Sequence, residues 1–232
     1  MGIVSLNKGD LSAAMESFQE ALRIAKETDP NSLNVADFYT NIGILLKDKG
    51  DLDGALEQYQ RALVIQEVKA PNSLDLAGSY NNIGLVLYGK GDLDGAMEQY
   101  QHALAIKEVK APNSLTLANS YNNIGSVMID RGDLDGALEQ YQCALTIEEV
   151  KIPNSLELAG SYNNIGSVLI DKGDLDGALE QYQRALTIEE VKAPNSLDLA
   201  ASYNNMGIVL NDKGDLDGAL QQYQQALVVL ET

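Results

Sequence analysis

Ser79–Gly84 reads SYNNIG, and the same six letters return at Ser120–Gly125 and Ser161–Gly166. Ser202–Gly207 reads SYNNMG, and Phe38–Gly43 reads FYTNIG. A fixed interval lies behind these copies. All five prolines, Pro30, Pro71, Pro112, Pro153 and Pro194, stand 41 residues apart, and everything between them recurs in register. One full repeat is PNSLDLAGSYNNIGLVLYGKGDLDGAMEQYQHALAIKEVKA, Pro71–Ala111. A period of this length marks a solenoid, in which each repeat packs on its neighbours. The chain of 232 residues is read as one array with repeats at 30–70, 71–111, 112–152, 153–193 and 194–232. A partial repeat, 1–29, precedes them; its Met1 and Gly2 align with Ile42 and Gly43.

Each repeat reads as two helices. Pro71-Asn72-Ser73 is a start signal, with polar side chains able to cap free backbone amides. The first helix is predicted from about Leu74 to Gly89, on an apolar stripe of Leu76, Tyr80, Ile83 and Leu87. Gly91 stops it. Asp92 caps the second helix, and Asp94 suits the positive end of its dipole. Leu93, Ala96, Met97, Tyr100, Ala103 and Leu104 form the second stripe, which ends near Lys110. No strand pattern is present, so the fold class is all-α.

Composition narrows the function. Net charge is −18 and the pI is about 4.2. Such a surface repels phosphate, so nucleic acid and anionic membrane are poor partners. No apolar run approaches the roughly 20 residues that span a bilayer, and the N-terminus lacks the pattern of a signal peptide. The single cysteine cannot form an internal disulfide, and a cytoplasmic location is the expectation.

The framework residues resemble the tetratricopeptide repeat (TPR). Its large, apolar, small and aromatic places are held here by Tyr80, Ile83, Gly84, Gly91, Ala96, Tyr100 and Ala103, and the match recurs in every full repeat. Glu108 stands where the motif usually closes with proline, and the proline comes four residues later. The longer repeat and the paired asparagines resemble the kinesin-light-chain type. The resemblance implies a right-handed superhelix of antiparallel helix pairs, with the first helices lining a concave groove. Gly84 would then admit a close helix crossing, and the tyrosines would be core. Ten of the eleven tyrosines hold two framework places; Tyr88 is the exception.

Places that differ among the repeats locate the expected binding surface. Two before the framework tyrosine come Asp37, Gly78, Asn119, Gly160 and Ala201. Five after it come Ile44, Leu85, Ser126, Ser167 and Ile208, and eight after it Lys47, Tyr88, Ile129, Ile170 and Asn211. At about 100° per residue these share one helix face. The first asparagine of each pair (Asn81, Asn122, Asn163, Asn204) lies among them, with Thr40 in the first full repeat. The second (Asn41, Asn82, Asn123, Asn164, Asn205) borders the same face. An amide carries donors and an acceptor, which suits the main chain of an extended peptide. In kinesin light chains such asparagines contact bound peptide, and the resemblance implies the same role. The alternative is that they tie one helix to the next. Lys47 is the one basic residue among these places, so a neutral or basic peptide with an apolar anchor is expected, and Tyr88 is the candidate hot spot.

An enzyme is not expected, and no cofactor or metal is implied. His102 and Cys143 occupy a place that elsewhere holds Arg61, Arg184 and Gln225, and neither has partners for catalysis. GDLDGALEQ lacks the twelfth-position glutamate of a calcium loop. The expected function is a non-catalytic scaffold for protein–protein interaction through the groove. The alternatives are end-to-end self-association, or a regulatory array within a larger protein. Leu216, Leu220, Tyr223 and Leu227 favour the alternatives, because no following repeat covers them in this sequence.

Overall fold

A computed structural model describes residues 8–231. Met1 and Gly2, where the partial repeat begins, lie outside the described residues. Eleven helices and no strand are found among the described residues. Two compact units divide the chain, Met1–Pro112 and Asn113–Thr232. Unit 1 holds α1 (Lys8–Thr28), α2 (Leu33–Asp48), α3 (Leu52–Lys69), α4 (Leu74–Gly89) and α5 (Leu93–Lys110). Unit 2 holds α6 (Leu115–Asp130), α7 (Leu134–Lys151), α8 (Leu156–Asp171), α9 (Leu175–Lys192), α10 (Leu197–Asp212) and α11 (Leu216–Leu230). Even-numbered helices are the first of each repeat and odd-numbered helices the second. Each first helix packs most closely on the second helix of its own repeat.

Local chemistry sets these boundaries. Ser73 has extended backbone and accepts the Leu76 amide at 3.1 Å. Asp92 accepts the Gly95 amide at 2.9 Å and opens α5. Each such cap contributes about 1 kcal/mol. Between them Gly91 takes a left-handed φ of 80°, which lets the chain reverse within a short turn. A Cβ on Gly95 would lie 2.5 Å from the Asp92 carboxylate, so a side chain there would require the capping carboxylate to shift.

The core follows the framework places. Ala96, Ala103 and Tyr100 are buried, and a Cβ on Gly84 would meet the Tyr100 ring at 2.6 Å. The same meeting recurs between Gly125 and Tyr141 and between Gly166 and Tyr182. First-helix tyrosines close the next joint: Tyr80 donates to Glu67, Tyr162 to Glu149 and Tyr203 to Glu190. Ion pairs Asp53–Lys90, Asp135–Lys172 and Asp176–Lys213 join successive repeats on the surface. The aspartate after the cap thus serves a long-range partner as well as its own helix dipole. Leu216, Leu220, Tyr223 and Leu227 of α11 are exposed.

Candidate functional site

The first helices turn their apolar stripe inward and leave the opposite face polar or mixed. In unit 1 that face carries Asn41, Lys47, Asn81, Asn82, Leu85 and Tyr88, all half-buried. In unit 2 Asn122, Asn123, Ser126, Ile129, Asn163, Ile170 and Asn205 are half-buried, whereas Asn164, Ser167, Asn204 and Asn211 are exposed. None of these places is fully in the core.

The first asparagine of the pair makes specific bonds in unit 2. Asn122 Nδ2 donates to Glu148 Oε1 at 3.0 Å. Asn163 Nδ2 donates to Glu189 Oε1 at 3.0 Å and lies 2.8 Å from Ser202 Oγ of α10. It therefore links α8 to α9 and α10. The serines at the variable place are also engaged. Ser126 Oγ donates to the Asn122 carbonyl and meets the Tyr141 hydroxyl at 3.1 Å. Ser167 does the same with Asn163 and Tyr182, at 3.0 Å from the phenol oxygen. Where Ile44 replaces serine, the buried Tyr59 hydroxyl has no hydrogen-bond partner.

Two hollows in unit 2 gather the variable places. The larger, about 350 Å³, lies between α8 and α10 over the end of α9; Asn163, Asn164, Ser167, Glu189, Ala201 and Asn205 line it. The smaller, about 180 Å³, is lined by residues of α6, α7 and α8, including Ile129, Asn164 and Ser167. Asn164 and Ser167 thus border both.

Sequence reasoning missed the floor of the larger hollow. Glu189 is 2% exposed and Glu148 3%, and their counterparts Gln66 and Lys107 are also buried. Each sits four residues after a buried framework alanine, Ala185 or Ala144, which places it on the inward stripe. That spacing was the available signal. Burial pushes the Glu189 carboxyl above the ordinary glutamate range; bonds from Ser202 and Asn163 oppose the shift, and the charge of Asp198 adds to it. A raised folded-state pKa means the folded chain holds this proton more tightly than the unfolded chain. The contribution of this group to stability is therefore full below the unfolded value of about 4.3 and is lost as pH rises through the folded value. Glu189→Gln keeps the acceptor for Asn163 and removes the charge. Its urea midpoint is expected to exceed wild type at neutral pH and to converge with it below about pH 4. Parallel midpoints across that range for Glu189→Gln and wild type would contradict this assignment.

The place shared by Arg61, His102 and Arg184 is exposed, yet it covers first-helix tyrosines. His102 stacks on Tyr80 at 5.0 Å between centroids, and Arg61 and Arg184 sit 5.7 Å from the Tyr39 and Tyr162 rings. Cys143 is exposed. Among the described residues no group of three or more His, Cys, Asp or Glu is arranged to hold a metal ion, and no helix is long and apolar enough to cross a membrane.

These helix pairs and their framework define a solenoid of tetratricopeptide type. A sequence model of the tetratricopeptide repeat family matches residues 1–67, 75–149 and 157–232, and the chain belongs to that family. The crystal structure of BtubC (BKLC) from P. vanneervenii is similar, with a TM-score of 0.82 at 24% identity over 94% of this chain and 90% of that one. The nearly identical TPR-like repeats of a putative kinesin light chain from Podosopora anserina give a TM-score of 0.72 at 13% identity, over 82% and 92%. YrrB, described as a TPR protein with an unusual peptide-binding site, gives 0.63 at 22% identity, over 91% and 93%. At these identities the likeness shows the fold. No curated protein sequence matches the chain. Tetratricopeptide repeat proteins are generally non-catalytic interaction modules, and family membership makes this chain a protein-interaction scaffold.

Proposed function

We propose that the chain binds an extended peptide segment of a partner protein along the polar faces of its first helices. The observation that carries this reading is the hollow between α8 and α10. It collects two second-place asparagines, Asn164 and Asn205, and two variable places, Ser167 and Ala201, in one concave surface. Amides spaced one repeat apart can hold a peptide main chain, while the residues that differ between repeats select its side chains. A structural relative described as having a peptide-binding site lends support. The expected ligand is a neutral or basic peptide with an apolar anchor, since the whole chain carries a charge of −18.

The test is affinity capture from cell extract with wild type and with Asn123→Ala/Asn164→Ala/Asn205→Ala, quantified by mass spectrometry. Each lost main-chain hydrogen bond weakens binding by about 0.5–1.5 kcal/mol, so the triple variant is expected to lose its partners by about tenfold or more. Melting curves verify its fold. Equal capture by a folded triple variant would remove the asparagines from the binding surface.

A further inference from the structure

Two residues that line the hollow between α8 and α10, Asn163 and Glu189, each carry a buried acceptor that the fold leaves unmatched. Glu189 Oε1 accepts from Asn163, but Glu189 Oε2 is buried with no hydrogen-bond partner. Asn163 Oδ1 is buried and without one as well. A buried polar atom without a partner is uncommon, and an unpaired buried carboxylate is costly. Elsewhere in unit 2 carboxylates meet cations: Asp135 pairs with Lys172, Asp176 with Lys213, and Glu149 and Glu180 with Arg184. Those pairs are on the surface, where pairing matters little. The buried Glu189 lacks a basic residue in its lining and has Asp198 beside it on the same hollow.

We propose that this hollow is a subsite for one basic side chain, Lys or Arg, of the bound peptide, with Glu189 at its floor and Asp198 at its rim. The inference rests on the peptide-binding reading above and adds the chemistry of one ligand residue. Both unmatched atoms are acceptors, so the group that completes them is a donor. Lysine brings three donors and arginine five, together with the charge that Glu189 and Asp198 call for. The walls suit a long aliphatic stem. Gly160 and Ala201 leave width, and Leu156 supplies apolar surface. An acidic chain also draws cationic ligands at long range.

The same construction stands one repeat earlier. Glu148 is buried, accepts from Asn122 at 3.0 Å, and leaves Oε2 unpartnered, as Asn122 leaves Oδ1. The corresponding place holds Gln66 and Lys107 in unit 1 and Leu230 in α11. The acidic floor is therefore confined to two repeats of unit 2, which makes it a selective feature instead of a general property of the framework.

The test begins with a random dodecapeptide library displayed on phage and selected on the whole chain. Enriched sequences are expected to share one Lys or Arg. A synthetic consensus peptide is then measured by fluorescence anisotropy beside a copy with neutral citrulline or norleucine at that place. The neutral copy is expected to bind wild type about tenfold or more weakly, a loss within the range of buried charge pairs. Glu189→Gln should weaken the basic peptide by a similar factor and leave the neutral copy unchanged. Asp198→Asn, at an exposed position where folding is not at risk, should weaken the basic peptide by less. Three results overturn the proposal: equal binding of the neutral copy, an equal effect of Glu189→Gln on both peptides, or enriched peptides without a basic residue. If such peptides still depend on Asn164 and Asn205, the peptide-binding reading survives and only the basic subsite falls. If the library yields no peptide, or peptides indifferent to Asn164→Ala and Asn205→Ala, both fall.

Discussion

Tyr141→Ala is expected to destabilise unit 2 by about 3–5 kcal/mol, the loss typical of a buried aromatic replaced by alanine. Tyr141 is 5% exposed and lies in a cluster with Ala137, Ile165, Val168 and Tyr182. It fills the crossing of α6 and α7 that Gly125 opens. Two effects combine on truncation. The apolar surface of the ring no longer leaves water on folding, and the surrounding helices leave a cavity because they relax only in part. The lost phenol adds little, since Ser126 still donates to the Asn122 carbonyl. Domains of this size are stable by roughly 5–15 kcal/mol, so the loss is a large fraction of the total. Urea unfolding followed by circular dichroism measures it. An internal comparison is available in Tyr223, which holds the same place in α11 and is 37% exposed. Tyr223→Ala should lose clearly less. A Tyr141→Ala midpoint within error of wild type, or losses ranked the other way, would refute the assignment of this tyrosine to the core.

Much of the fold was legible because its determinants are local. The first helix expected at about Leu74 to Gly89 is α4, with those ends, and the Asp92 cap opens α5 as expected. Caps, a left-handed glycine and a helical stripe each act within a few residues, and the 41-residue period repeats each of them. That Gly84 admits a close helix crossing was legible too, from the framework of the family; that the group facing it is the Tyr100 ring came only from the packed structure. The candidate site was legible only in outline. Its variable places and asparagines lie where the stripe is not, a matter of helical phase. The acidic floor was missed despite its spacing from the framework alanine, because charged residues are rarely buried and Gln, Lys, Glu and Leu at one place look like a solvated series. The partners of Asn163 are 26 and 39 residues away, in different helices, and only the packed structure brings them together. The same holds for the surface pairs between an Asp and a Lys 37 residues on: in the sequence the helix dipole alone accounts for those aspartates.

Gly125→Ala is expected to destabilise unit 2 by about 1–3 kcal/mol, the range for forcing a methyl into a packed core. Two effects of opposite sign meet here. Alanine is the better helix former by about 0.5–1 kcal/mol, and Gly125 lies inside α6. Against that gain, the new Cβ would stand 2.7 Å from Tyr141 Cε1, well inside van der Waals contact, and both residues are buried. Overpacking outweighs the gain in helix propensity, so the net change is a loss. Gly160→Ala separates the two effects within the same unit. Gly160 lies inside α8, and a methyl added there would have nothing within 4 Å, so alanine should stabilise by about 0.5–1 kcal/mol. A double-mutant cycle then identifies the obstructing group. On a Tyr141→Ala background the ring is gone, and Gly125→Ala should change sign to a gain of about 0.5–1 kcal/mol. Persistence of the full loss on that background would mean that something other than the Tyr141 ring excludes a side chain from this crossing. A sign change would make the glycine–tyrosine contact the element that fixes how closely each helix pair packs.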